Sequence, residues 1–451
     1  MSSQKIIIWS EKVMAFSFYA LVYFIPISIA LTESFAGLAL FSYFFKKWAM
    51  FYEQVKKELL PWHTLSFSRK FLSFFRSFKP VESFLNWPIG IFLFFTFMSV
   101  IFSEIPFLSV RGYIGKTLEF AFLYFSFLEC INSKKRIKIF LTVYLISFTL
   151  ICINGIFQYF TGREFIHGYL LEGGRICSSL RQSNDFGAYL IMFIPVLFFL
   201  SVLCGRSVGG KSDFSVFTSP AVRVILFLLF ILALFCLGLT FSRGAWMAFI
   251  LSLFFAGFKK LKLLLPCCIL IVVFLILAVP NLQEGRDGTS SYVSRFMKAA
   301  NADDRRMVLW QFIDYDNNRM VYWRGTSQII KDYPLFGAGL NTYSQIVGRY
   351  KNVWGGYAHN CYLQMTAETG LLGITAFLGI FFITFRNSFK RLRLIQDQVH
   401  WLLLFGLLTG LLGFLIHSFV DTNLYSDQLS SLMWVNMGVI VALQKINKGA
   451  I

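Results

Sequence analysis

The chain has 451 residues, 57% of them hydrophobic, 19% aromatic and only 14% charged, with a formal net charge of +19. That composition excludes an ordinary soluble domain, in which about a quarter of the residues are charged. The basic excess would suggest nucleic acid in a soluble protein, but positively charged cytoplasmic loops of a membrane protein account for it, and no nucleic-acid partner is expected.

In chain order, the apolar runs predict helical spans at 12–29, 32–45, 87–102, 113–131, 138–158, 185–204, 222–240, 244–258, 263–280, 361–385, 400–417 and 427–443. A hydrocarbon core about 30 Å thick takes roughly 20 residues of helix. Backbone groups in lipid must be satisfied internally, and nothing alternates with the two-residue period of a barrel. The expected class is therefore an all-α integral membrane protein with about twelve spans, of which the second, third and eighth are short. The first is read as a retained helix, since no convincing signal cleavage site follows it.

Lysine and arginine cluster in alternate loops, which by the positive-inside rule places that set, and both termini, in the cytoplasm. Lys46 and Lys47 are counted among these loop charges. The loop at 46–86 is basic and amphipathic, with Phe71, Phe74, Phe75 and Phe78 among Arg and Lys, and reads as an interfacial helix against anionic lipid. A second long loop, 281–360, faces outward and shows helical patterns near Asp303–Asp314 and Arg319–Lys331. The organisation is thus 1–280 with nine spans, 281–360 as a small folded outward layer, and 361–451 with three more. The eight cysteines show no metal-ligand spacing, and no metal is expected. Cys177 and Cys361 fall on the outward side, where a disulfide between them is one pairing the sequence allows.

The outward segments hold twelve arginines (Arg111, Arg163, Arg175, Arg181, Arg243, Arg286, Arg295, Arg305, Arg306, Arg319, Arg324 and Arg349) against four lysines. The guanidinium fork binds phosphate oxygens bidentately and stays charged, so this bias points to phosphate recognition. The competing reading pairs them with carboxylates such as Asp303, Asp304, Asp314 and Asp316. Arg243 lies between two apolar runs in Leu239-Thr-Phe-Ser-Arg-Gly-Ala-Trp246, at a depth where a cation is a functional candidate. His359 sits where the outward layer meets the membrane, and a histidine there can exchange a proton near neutral pH. His167 and His417 also face outward, whereas His63 and His400 are assigned to the cytoplasmic side.

Seven segments together resemble the O-antigen ligase and polymerase superfamily of bacterial envelope glycosyltransferases. They are Gly174-Arg-Ile with Ser183–Leu190, Thr240–Trp246, Arg319–Trp323, Asp332–Gly339, His359–Gln364, Glu368–Gly373 and His417–Asp421. The resemblance covers about 174–421. It implies a GT-C-type helical fold in the bacterial inner membrane, with the active site facing the periplasm. It also implies glycan transfer from an undecaprenyl-pyrophosphate carrier without metal, nucleotide or other cofactor. The activity-linked residues of the family fall on Arg243, Arg319 and His359, with Arg175 and Arg181 as further donor-binding candidates. Glu368 and Asp421 are expected to orient neighbours. The late periplasmic loop favours a ligase with lipid A–core as acceptor over a polymerase or an O-linked oligosaccharyltransferase. A transporter of lipid-linked sugar is the alternative from another class, although the chain shows no paired halves.

Overall fold

The computed structural model describes residues 3–57, 67–203, 219–259, 317–351 and 356–446, together with Phe214 and Phe217. Among them there is no strand, only two isolated bridges in a loop. The helices are α1 (Ser3–Phe24), α2 (Ile29–Lys57), α3 (Phe67–Phe78), α4 (Asn86–Ile101), α5 (Pro106–Gly112), α6 (Glu119–Cys130), α7 (Lys134–Thr161), α8 (Ser183–Val202), α9 (Pro220–Leu239), α10 (Arg243–Lys259), α11 (Asn317–Asp332), α12 (Tyr343–Ile346), α13 (Gly348–Lys351), α14 (Cys361–Leu392), α15 (Gln398–His417) and α16 (Asp427–Ile446). Seven of them, α1, α7, α8, α9, α14, α15 and α16, are long and apolar enough to cross a membrane, and α4 and α10 are shorter apolar helices. The chain is a multi-pass helical membrane protein.

Helices α8, α15 and α16 are the most enclosed of these. Helix α15 packs on α8 along its glycine side, where a Cβ at Gly410 would lie 2.0 Å from the carbonyl oxygen of Met192. Small residues are what allow two helices to approach so closely inside a bilayer. Around this centre α9 and α10 pack on α8, α16 on α6, α1 on α2 and α7, and α14 on α4.

Three expectations about boundaries are corrected. Helix α2 does not stop at 45 but runs to Lys57. Lys46 and Lys47, expected in a loop, are 7% and 4% exposed. Lys46 Nζ lies 2.8 Å from Glu11 and 2.9 Å from Glu129, and Lys47 Nζ lies 2.5 Å from the other Glu129 oxygen. Paired ammonium groups do not end a helix, so the basic pair reads as a loop in sequence yet serves as a buried clamp of α1, α2 and α6. The segment expected at 113–131 begins earlier, at Pro106, and passes through a π-helical turn at Tyr113–Leu118 before α6. Helix α14 outruns its expected end and is broken inside, at Gly370 (φ 70°, ψ −178°).

The span expected at 263–280, the helical pattern at Asp303–Asp314, and Arg286, Arg295, Arg305, Arg306 and His63 lie outside the described residues. The pattern at Arg319–Lys331 is α11. Helix α3 lies against α2, and Phe74 and Phe78 complete an open apolar groove of about 420 Å³ with Phe41, Phe44, Phe45 and Trp48. Cys177 and Cys361 are free buried thiols rather than a disulfide. The first meets Gln158 Nε2 at 3.3 Å, and the second donates to the Asp421 carbonyl at 3.0 Å.

Candidate functional site

The site is built on the sharp reversal between α9 and α10. Thr240 ends α9, its hydroxyl donating back to Leu237 O at 2.7 Å, and Phe241 takes a left-handed backbone (φ 47°). That conformation is uncommon for a bulky residue and persists only where its surroundings enforce it. Here the enforcing contacts are Trp246 Nε1, which donates to Leu237 O at 2.8 Å, and Ile176 N, which donates to Leu239 O at 3.2 Å. Arg243 therefore opens α10 as an exposed side chain at the end of the bundle. Its charge adds to the positive end of the helix dipole, a combination suited to an anion.

Arg175 braces this turn. Its Nε donates to Thr240 O at 2.8 Å and its Nη2 to Asn184 Oδ1 at 2.7 Å, tying the 172–176 turn to both α8 and the α9–α10 turn. Glu172 holds the start of α8, accepting from the Ser183 amide and hydroxyl, each at 2.6 Å. Arg181, also singled out from the sequence, is exposed and donates from Nε to Tyr169 OH at 3.0 Å. His167 joins the same loop to the α1–α2 turn through Ile27 O at 2.6 Å. Inside the loop Glu164 accepts from Asn154 Nδ2 and from the amides of Ile166, His167 and Tyr169. Burial pushes its carboxyl up, but these four donors outweigh that and hold it below the usual carboxylate range.

The turn after α15 meets this structure from the other side. His417 is buried, and Asn423 Nδ2 donates to its Nδ1 at 2.9 Å. The imidazole proton then sits on Nε2, 3.9 Å from Asp421 Oδ2. Gly244 packs on this turn: a Cβ there would lie 2.7 Å from Val420 Cγ2 and 3.2 Å from His417 Cδ2. The next residue, Ala245, is similarly close to α8 at Gly187.

Helix α11 supplies the remaining candidates. Arg319 is half-buried and donates from Nη1 to Val420 O at 3.1 Å. One turn later Trp323 Nε1 donates to Ala358 O at 2.8 Å, and Tyr322 stands edge-on to the His359 ring at 6.4 Å between centroids. His359 also has a left-handed backbone (φ 49°), fixed between the Trp323 bond and Asn360. The Asn360 side chain caps α14, accepting from the amides of Tyr362 and Leu363 at 3.0 Å each. Gly244, the neighbour of Arg243, and Arg319 thus both meet Val420, and the segment carrying His359 is held against the helix that carries Arg319.

The two glycine-rich motifs do different work. The backbone of 334–339 lies along the break in α14, with Ala338 N donating to Ala367 O at 2.8 Å and Leu371 N to Pro334 O at 2.8 Å. Glu368 accepts from Tyr343 N at 3.3 Å and Tyr425 OH at 3.2 Å, fastening the segment with α12 to the bundle. Among the described residues, no cluster of ligating side chains suits a metal ion.

Residues 228–378 match the family model for O-antigen ligase. That stretch, about a third of the chain, is similar to the O-antigen ligase family. Arg243, Arg319 and His359 all lie within the matched stretch, whereas Arg175, Arg181 and His417 lie outside it. The family's members are ligases and polymerases of envelope glycans, enzymes of the glycosyltransferase kind. No curated protein matches the chain. Sequence reasoning passed over Tyr322 and Trp323 as individual groups, although both stand in a motif it recognised. It also missed Asn423, whose only signal is its place two residues beyond Asp421.

Proposed function

We propose that the protein is an O-antigen ligase, moving a glycan from undecaprenyl pyrophosphate to the lipid A–core oligosaccharide at the periplasmic face of the inner membrane. On this reading it has a GT-C-type fold with about twelve crossings and both termini in the cytoplasm. The observation that carries it is that Gly244, next to Arg243, and Arg319 both meet Val420, from two helices distant in sequence, while Trp323, one turn after Arg319, holds the residue before His359.

In the reaction an acceptor hydroxyl oxygen forms a bond to the anomeric carbon, and the bond from that carbon to the phosphate oxygen breaks. The bonding pair leaves with the lipid pyrophosphate. Neutral His359 takes the hydroxyl proton. Arg243 and Arg319 oppose the charge growing on the leaving oxygen, fixed in place before it appears. A single displacement inverts the anomeric centre. Arg175 acts at one remove, holding the Thr240 turn and so the position of Arg243. Arg181 lies at the periphery, where it meets the outer part of the donor.

The test is glycan transfer by purified protein in detergent, from carrier-linked oligosaccharide to lipid A–core. His359→Ala and Arg243→Gln are expected to lose roughly 10²–10⁴ in rate while remaining folded. Growth of the carrier-linked glycan instead would identify a polymerase. Transfer to protein hydroxyls would identify an oligosaccharyltransferase, and binding of donor with no turnover would identify a transporter. Folded variants with full activity would reject the site.

A further inference from the structure

The transfer reaction leaves one face of α11 unused. Met320, Trp323, Arg324, Ser327, Gln328 and Lys331 line an open concavity of about 380 Å³ on the outward layer. Their spacing puts them on one side of the helix, with Arg324 and Lys331 two turns and roughly 10 Å apart along the axis. Both cations are exposed, and neither has a carboxylate partner among the described residues. The adjacent acidic residue is engaged elsewhere, since Asp332 Oδ2 accepts from Tyr350 OH at 2.7 Å. Other arginines of this layer are also occupied, Arg319 with Val420 O and Arg349 with Glu104 at 3.3 Å.

Trp323 connects this face to the chemistry. Its indole N–H is committed to Ala358 O, the residue before His359, while the side chain lines the concavity. An aromatic surface flanked by two cations that have no carboxylate partner among the described residues is complementary to a sugar carrying negative charge. The aromatic ring offers apolar area to a pyranose face, and the cations offer charge-assisted bonds to phosphate oxygens.

We propose that this face of α11 is an acceptor subsite for a phosphorylated saccharide, its phosphates held by Arg324 and Lys331 and one ring laid on Trp323. The proposal rests on the ligase reading, in which the acceptor is a glycan that must enter beside His359. The subsite sets acceptor affinity and leaves donor chemistry to Arg243 and Arg319.

The experiment measures binding to the full-length protein in detergent, without donor. The probes are a phosphorylated lipid A–core oligosaccharide and the same oligosaccharide after phosphatase treatment. Wild type is expected to bind the phosphorylated form about tenfold or more tightly than the other. The double variant R324Q/K331Q is expected to lose that preference, and R324K/K331R to recover most of it. Equal affinity of wild type for the two probes, or an undiminished preference in R324Q/K331Q, would overturn the subsite. Because no transfer is involved, this outcome is separate from the ligase reading, which fails if wild type cannot glycosylate lipid A–core whatever it binds.

Discussion

Gly244→Ala adds one methyl group where α10 meets the turn after α15. The new Cβ would lie 2.7 Å from Val420 Cγ2, 3.2 Å from His417 Cδ2 and 3.3 Å from His417 Nε2. His417 cannot yield easily, being 1% exposed and held by Asn423. Val420 can turn its side chain, but its carbonyl anchors Arg319. The relief available is to move α10 away from the turn, carrying Arg243 with it. Overpacking of this kind costs about 1–3 kcal/mol in stability. Displacing a catalytic charge by about an ångström costs up to roughly 10² in rate. Gly238→Ala is the control, because a Cβ there has nothing within 4 Å and alanine suits a helix better than glycine by about 1 kcal/mol. The assay is transfer rate at saturating donor and acceptor, with thermal unfolding followed in the same detergent. Gly244→Ala should lose tenfold to a hundredfold in rate with a modest drop in melting temperature, and Gly238→Ala should match wild type. Wild-type turnover in Gly244→Ala would refute the reasoning that the 417–421 turn sets the two arginines.

Three other outcomes follow from the geometry. Gly370→Ala should destabilise the protein severely, since φ is 70° and the Cβ would lie 2.1 Å from the Leu335 carbonyl oxygen; an unchanged melting temperature would show that the break in α14 is not required. Glu129→Ala removes the shared partner of the buried Lys46 and Lys47 ammonium groups, at a cost of about 3–5 kcal/mol, and a shift in thermal inactivation too small to detect would argue against a buried clamp. Glu164 has a folded-state pKa below its unfolded value, so its contribution is present above the usual carboxylate range and lost as pH falls through the lowered value. Exchange protection of the Ile166, His167 and Tyr169 amides should accordingly hold near neutrality and decline in acid, with Glu164→Gln abolishing that dependence.

By itself the sequence determined the class and most of the helix positions. Every expected span except 263–280, which lies outside the described residues, falls on a helix. The physical reason is that lipid allows few solutions for an apolar run, so length and hydropathy suffice locally. Arg243 and His359 drew notice as candidates because each stands at a junction where a charge is conspicuous, and Arg319 only through the family resemblance. Partnership was not legible. Lys46 and Lys47 read as loop cations because Glu11 and Glu129, which neutralise them, are far away in the chain. Arg175 and Arg319 looked alike as outward arginines, yet one braces a turn and the other meets Val420. The glycines of 337–339 and 370 stood only as parts of two separate motifs, and they pack a segment against a broken helix. Which donor meets which acceptor depends on how helices distant in sequence pack, and tertiary structure alone decides that.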